Sequence, residues 1–125
     1  MKKLAIIDDD HSILEMYTLK FEVEDFEVVT ALDGEAGLEL IEETKPDLIL
    51  LDLMMPKMDG AHMLKELRNK PWGKDIPVII LTNISSDEAP SILSKLNVAD
   101  YIIKANFTPQ AVLDKVKSIL GKKVN

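Results

Sequence analysis

The sequence predicts a doubly wound α/β fold built on a parallel sheet, and three observations carry that reading. Four short apolar runs are continuous rather than alternating: Leu4-Ala5-Ile6-Ile7, Leu48-Ile49-Leu50-Leu51, Val78-Ile79-Ile80-Leu81 and Tyr101-Ile102-Ile103. Such runs read as strands covered on both faces. Stretches with helical spacing separate them, the alternation that builds parallel sheets. Each run also ends on a polar residue: Asp8-Asp9, Asp52, Thr82 and Lys104 in turn. Ligands of open parallel sheets bind beyond the carboxyl ends of the strands. That edge therefore collects carboxylates, a hydroxyl and an ammonium, groups suited to a divalent cation and a phosphoryl group.

The elements follow in order. After the first strand, Asp10 can cap a helix that runs to about Val23. Glu27-Val28-Val29-Thr30 is less apolar and suits an edge strand. A second helix follows Asp33-Gly34, carries Ala36, Leu38, Leu40 and Ile41, and stops before Pro46. The third strand leads into Asp52. Met58-Asp59-Gly60 turns into a helix with Met63, Leu64 and Leu67, and Pro71-Trp72-Gly73 marks the next loop. The fourth strand starts after Pro77. A fourth helix is expected next, capped by Ser85 or Ser86, with Asp87 and Glu88 in its first turn and Pro90 just inside it. Pro90 is expected to kink or loosen that helix. The fifth strand is Asp100 to Ile103. Thr108-Pro109 starts a last helix carrying Val112, Leu113, Val116, Ile119 and Leu120, and Gly121 is expected to close it.

The totals narrow the function classes. At 125 residues the chain is expected to form one domain, residues 1–125, with a real core. Its net charge of -7 and pI near 4.8 argue against direct nucleic-acid binding. The best basic cluster, Lys115, Lys117, Lys122 and Lys123, reads as a solvated helix face, and Lys122 to Asn125 as a candidate linker start. There is no cysteine, so no disulfide or thiolate chemistry. No run approaches the ~20 apolar residues of a membrane span. The expectation is a cytoplasmic protein with no membrane partner.

Each candidate site residue has a bland reading beside the chemical one. Asp8 and Asp9 offer hard oxygen ligands suited to Mg²⁺, or they form a solvated acidic loop. Asp52 ends the most apolar strand, which should lie centrally, where an unpaired aspartate is costly. It is a candidate nucleophile for a phosphoryl group, or a loop residue capping the next turn. Its repulsion from Asp8 and Asp9 would be relieved by a shared cation. Thr82 and Lys104 could stabilise phosphoryl charge, or could be an ordinary turn threonine and a solvated lysine. His11 and His62 lack a metal spacing and are read as surface or helix residues, and Trp72 as a plug under its loop.

Taken together, Ile7-Asp8-Asp9-Asp10, Leu51-Asp52-Leu53-Met54-Met55-Pro56-Lys57-Met58-Asp59-Gly60, Leu81-Thr82 and Tyr101-Ile102-Ile103-Lys104 resemble the receiver domain of two-component response regulators. Each motif alone is weak; the ordered set at these separations is specific and covers essentially the whole chain. The resemblance implies a five-stranded, flavodoxin-like parallel sheet in the order 2-1-3-4-5, with five helices. It implies that Asp52 is the phosphoacceptor. Asp9, Asp52 and the Met54 carbonyl would bind Mg²⁺ directly, with Asp8 acting through water. Thr82 and Lys104 would hold phosphoryl oxygens, and Pro56 and Gly60 would shape the loop after the acceptor. Thr82 and Tyr101 would form the switch, the hydroxyl moving toward the phosphoryl group and the ring turning inward. That would remodel the face made by the fourth helix, fifth strand and fifth helix, also a candidate homodimer surface.

The implied partners are a histidine kinase or histidine phosphotransfer protein as donor, and a downstream protein that the sequence does not name. The first helix has excess apolar residues, among them Met16, Leu19 and Val23, which fits donor docking or a wide core-facing stripe. Two positions depart from the family. Ala105 stands where the family has proline, often behind a cis peptide; a cis bond is costly before a non-proline residue, and the sequence leaves the state of the Lys104–Ala105 bond open. Asn83 follows Thr82 where small residues are common, and together with Met54 it suggests slow loss of the phosphoryl group. The expectation is a single-domain response regulator with no turnover of an external substrate. One rival is a degenerate receiver that works as a constitutive docking or dimerisation module. The other is an enzyme, a small phosphatase or a nucleotide-binding α/β protein, disfavoured because Met54 stands where such a phosphatase needs a second aspartate and no glycine-rich loop follows the first strand.

Overall fold

A computed structural model describes residues 1–124, with side chains through residue 121. The side chains of Lys122 and Lys123, expected as surface charge, and the whole of Asn125 lie outside the described residues, while the backbone expected as a linker start from Lys122 is helical to Val124. The strands are β1 (Lys3–Ile7), β2 (Glu27–Ala31), β3 (Leu48–Leu51), β4 (Val78–Thr82) and β5 (Asp100–Ile103). They form one parallel sheet in the order β2-β1-β3-β4-β5, so β3 is central and β2 is an edge. The α-helices are α1 (His11–Val23), α2 (Gly34–Thr44), α3 (Gly60–Arg68) and α4 (Pro109–Val124).

The continuous apolar strands are explained by two cores, one on each face of the sheet. Leu4, Ile6, Leu48, Leu50, Ile79 and Leu81 pack on one side with Leu14, Tyr17 and Phe21 of α1 and Val112, Leu113 and Val116 of α4. Their neighbours Ala5, Ile7, Ile49, Leu51, Val78 and Ile80 pack on the other with Ile41 of α2 and Met63, Leu64 and Leu67 of α3. Alternate residues of one strand thus serve opposite cores, which leaves no place for a polar residue until the strand ends.

Helix starts follow the local chemistry. Asp10 accepts from the Ser12 and Ile13 amides, Asp33 from Ala36, Asp59 from His62, and Thr108 Oγ1 from Ala111. Each satisfies an amide that the helix itself leaves free.

Two expectations need correction. The fourth helix is replaced by two 3₁₀ turns, Ser86–Glu88 and Ser91–Lys95. Between them Ala89 and Pro90 are extended, at ψ 149° and 133°. Proline disfavours the helical conformation in the residue before it and lacks the amide a helix needs. Neither turn has a side-chain cap, and the Ser85 hydroxyl instead donates to Glu88 Oε1 at 3.1 Å. The second correction is Gly121, through which α4 continues to Val124. A single glycine costs about 1 kcal/mol in a helix interior, too little to stop one that is packed upstream.

Parallel register places the site. Ile7 pairs with Leu51, and Leu51 with Ile80. The ladder runs one residue further, because the Asp52 amide donates to the Ile7 carbonyl at 3.0 Å. Asp8 and Asp52 therefore leave adjacent strands side by side. Thr82 pairs with Ile103, so Lys104 begins one residue beyond it. Gly60 is needed for close approach: a Cβ there would overlap the Asp52 carbonyl oxygen. Its amide donates to the Leu53 carbonyl at 3.0 Å, which closes the loop after Asp52 against the start of α3.

Candidate functional site

Asp8, Asp52 and Thr82 are the buried polar side chains among the described residues, at 2%, 6% and 1% exposure. All three stand at or just beyond the carboxyl ends of β1, β3 and β4. They line a cleft of about 230 Å³ with Asp9, Asp10, Met54, Asn83 and Lys104. The cleft thus brings together the predicted carboxylates, hydroxyl and ammonium. Tyr101 lies apart from its lining, and Asp10 serves as the α1 cap.

Lys104 organises the charges. Its Nζ lies 2.6 Å from Asp8 Oδ2 and 3.2 Å from Asp52 Oδ2, with the three side chains only 13%, 3% and 7% exposed. The remaining oxygens meet backbone donors: Asp8 Oδ1 accepts from the Asp10 amide at 3.0 Å, Asp52 Oδ1 from the Met54 amide at 3.3 Å. Burial pushes the Asp8 carboxyl above its ordinary value, against the opposing pull of Lys104. Burial also works against the Lys104 charge, but Asp8 and Asp52 outweigh it and hold the ammonium above the ordinary lysine value. The direct Lys104–Asp8 pair, the shorter of the two, was not foreseen; no sequence signal reports which carboxylate a lysine chooses.

The donor set fits a hard divalent cation. Asp8, Asp9 and Asp52 each offer an oxygen, all within 4.8 Å of one another. Oxygens facing each other across Mg²⁺ sit about 4.2 Å apart, so small side-chain adjustments suffice. These three carboxylates meet one ammonium, and the surplus negative charge calls for further positive charge.

The flanking residues divide. Met54 lines the cleft with its side chain largely in solvent, at 64% exposure, and Asn83 is exposed at the cleft edge. Tyr101 is half-buried, and its hydroxyl donates to the Ile84 carbonyl at 2.6 Å. The Ile84 amide in turn lies 3.5 Å from Thr82 Oγ1. Thr82 and Tyr101 thus meet through one residue. The Lys104–Ala105 bond is trans, as no cis peptide occurs among the described residues. His11 and His62 are exposed, and Trp72 packs on the second core with the Lys45 ammonium 5.0 Å from its ring.

Residues 4–117 match the family model of the response regulator receiver domain. The chain belongs to that family. Receiver domains are signalling modules of two-component systems rather than classical enzymes. Among curated relatives, the chain is 38% identical over 122 residues to the alkaline phosphatase synthesis transcriptional regulatory protein PhoP of Bacillus subtilis, covering 97% of this chain and 49% of that protein. It is 34% identical to the DNA-binding dual master transcriptional regulator RpaA of Synechocystis, covering 98% and 50%. The chain therefore spans about half the length of the curated relatives it matches. Among solved structures, the Francisella response regulator 1452 receiver domain matches with TM-score 0.86 and 34% identity over the whole of both chains. A CheY-like receiver domain protein from Methanospirillum hungatei matches with TM-score 0.89 and 29% identity, covering 98% of this chain and 95% of that one. No helix among the described residues is long and apolar enough to cross a membrane.

The raised Asp8 carboxyl carries a stability consequence. A carboxyl raised by folding favours the folded state in acid and loses that contribution as pH rises through its folded value. Asp8→Asn keeps the shape and can still accept from Lys104. With a chelator present it is expected to raise the melting temperature at neutral pH, and the gain should shrink as pH falls toward the ordinary carboxylate range. Thermal unfolding across that range checks this; an unchanged or lower value at neutral pH contradicts it.

Proposed function

We propose that this receiver takes a phosphoryl group onto Asp52 from the phosphohistidine of a histidine kinase or phosphotransfer protein. The observation that carries the reading is the buried Asp8–Lys104–Asp52 cluster at the carboxyl edge of the sheet. Asp52 is the nucleophile: as its carboxylate oxygen bonds to phosphorus, the bond from phosphorus to the donor imidazole breaks. The Met54 amide on Asp52 Oδ1 orients the carboxylate. Lys104, already 3.2 Å from Asp52 Oδ2, stays within reach of an attached phosphoryl oxygen, and the Thr82 hydroxyl offers a further donor. Asp9, Asp52 and the Met54 carbonyl would hold Mg²⁺, with Asp8 through water, and the bound ion would supply positive charge against the phosphoryl oxygens.

The output of this reading is a protein contact. A Thr82 hydroxyl drawn to the phosphoryl group would leave Ile84, whose carbonyl holds Tyr101. Freed from it, Tyr101 would turn inward and alter the face made by the 3₁₀ segment, β5 and α4. That face would meet a downstream protein or a second copy of the chain. The donor would dock on the outward stripe of α1, where Met16, Leu19 and Val23 are 40%, 66% and 79% exposed. The chain acts here as one receiver in the cytoplasm, without direct nucleic-acid contact of its own.

Incubation with acetyl phosphate and Mg²⁺ tests the acceptor. Intact-mass spectrometry is expected to show one added phosphoryl group on the wild type and none on Asp52→Ala. No adduct on the wild type would favour a constitutive docking module, and an equal adduct on the variant would place the acceptor elsewhere.

Loss of the phosphoryl group is slow in this reading, because Met54 and Asn83 flank the cleft and crowd an attacking water. Met54→Gly and Asn83→Ala are expected to speed dephosphorylation several-fold, a change of about 1 kcal/mol in barrier. Phosphoprotein decay followed by mass spectrometry checks this, and unchanged rates in both variants remove its basis.

A further inference from the structure

A second concavity adjoins the acceptor cleft, and apart from Asp9 and Met54 its lining takes no part in the chemistry above. It is a groove of about 650 Å³ between the loop after β3 and the segment after β4. Its apolar lining includes Leu53, Met54, Met55, Ile84 and Pro90, with Ala61 from the first turn of α3. The charged residues along it are Asp9, Asp59 and Glu88; among the described residues no lysine or arginine lines it. One wall exists in this form because the chain is extended at Ala89 and Pro90, where the fourth helix was expected.

An apolar trough edged only by acids selects its occupant by charge as well as hydrophobicity. We propose that this groove docks a partner segment carrying two or three apolar side chains beside a lysine or arginine. The apolar side chains would cover Met55 and Ile84, and the basic group would face Glu88 and Asp59. A basic group there is attracted without displacing a lysine or arginine, since among the described residues neither acid is paired with one; Asp59 meets His62 and Glu88 meets the Ser85 hydroxyl. The groove and the acceptor cleft share two lining residues, Asp9 and Met54. A segment seated against Met54 would therefore sense the state of the cleft, and by linkage the cleft would sense the segment. The groove belongs to the unphosphorylated chain, so docking is measurable without any chemistry at Asp52, and its failure is distinct from failure of the acceptor reading.

The test uses three fluorescein-labelled peptides of one length, built from leucine with lysine, leucine with glutamate, and serine with lysine. Fluorescence polarisation with the full chain is expected to show binding of the leucine–lysine peptide at least about tenfold tighter than either control. Amide shift changes in ¹H–¹⁵N spectra should centre on Met55, Ala61, Ile84 and Glu88. Glu88→Lys, an exposed site that leaves the fold intact, should weaken the leucine–lysine peptide about tenfold, and Ala61→Lys should do the same. Equal binding of the two leucine peptides, equal binding of the serine–lysine peptide, or shifts centred on Met16, Leu19 and Val23 of α1 would each overturn the proposal. So would wild-type affinity in both variants.

Discussion

The Lys104 ammonium held between two buried carboxylates is the constraint on which the site depends. Two like charges about 4 Å apart repel by about 4 kcal/mol at an effective dielectric of about 20. Asp8 and Asp52 leave neighbouring strands in register, so the sheet itself forces them together. The fold could relieve that repulsion by protonation, by a counter-ion, or by letting the strand ends splay. It uses Lys104, which enters from the far edge strand across β4. One ammonium does not balance three carboxylates, and the residual negative charge is what makes the cleft receptive to a cation.

The sheet and most of the site were legible in the sequence, for a shared reason. A strand buried on both faces admits no polar residue, so the first polar residue after each apolar run marks both the end of the strand and the edge where ligands bind. Asp8, Asp52 and Thr82 were found by that one signal; Lys104 follows β5, an edge strand buried only at Ile102, where the two-sided burial expected of the apolar run does not hold. Asp10, Asp33 and Thr108 were legible as caps because capping is local, set by a side chain and an amide two or three residues on.

What escaped the sequence is non-local or a balance of small terms. A serine cap and acidic first-turn residues pointed to a helix after β4, yet Pro90 in mid-segment and the absence of a working cap decided for two 3₁₀ turns. Gly121 looked like a stop, but packing upstream carries α4 through it. The bond from Tyr101 to the Ile84 carbonyl joins β5 to the loop after β4, and nothing in either stretch announces it. Arg68 is similar: its guanidinium donates to the carbonyls of Gly73, Ile76, Leu96 and Asn97, tying the end of α3 to two loops. Its partners are backbone atoms, which sequence patterns do not reveal.

These features divide the molecule into an α/β frame and the 3₁₀ segment after β4. The frame is the five-stranded sheet with α1 to α4, which fixes the carboxylates and Lys104. The 3₁₀ segment runs from Asn83 to Asn97, held by Tyr101 at one end and Arg68 at the other. The most direct test of the charge arrangement is Mg²⁺ binding by isothermal titration calorimetry on the wild type, Asp9→Asn, Asp52→Asn and, as control, Glu39→Gln on the exposed face of α2. The account predicts one saturable site, weakened at least about tenfold in the two aspartate variants and unchanged in the control. Equal affinity in all four proteins would contradict it.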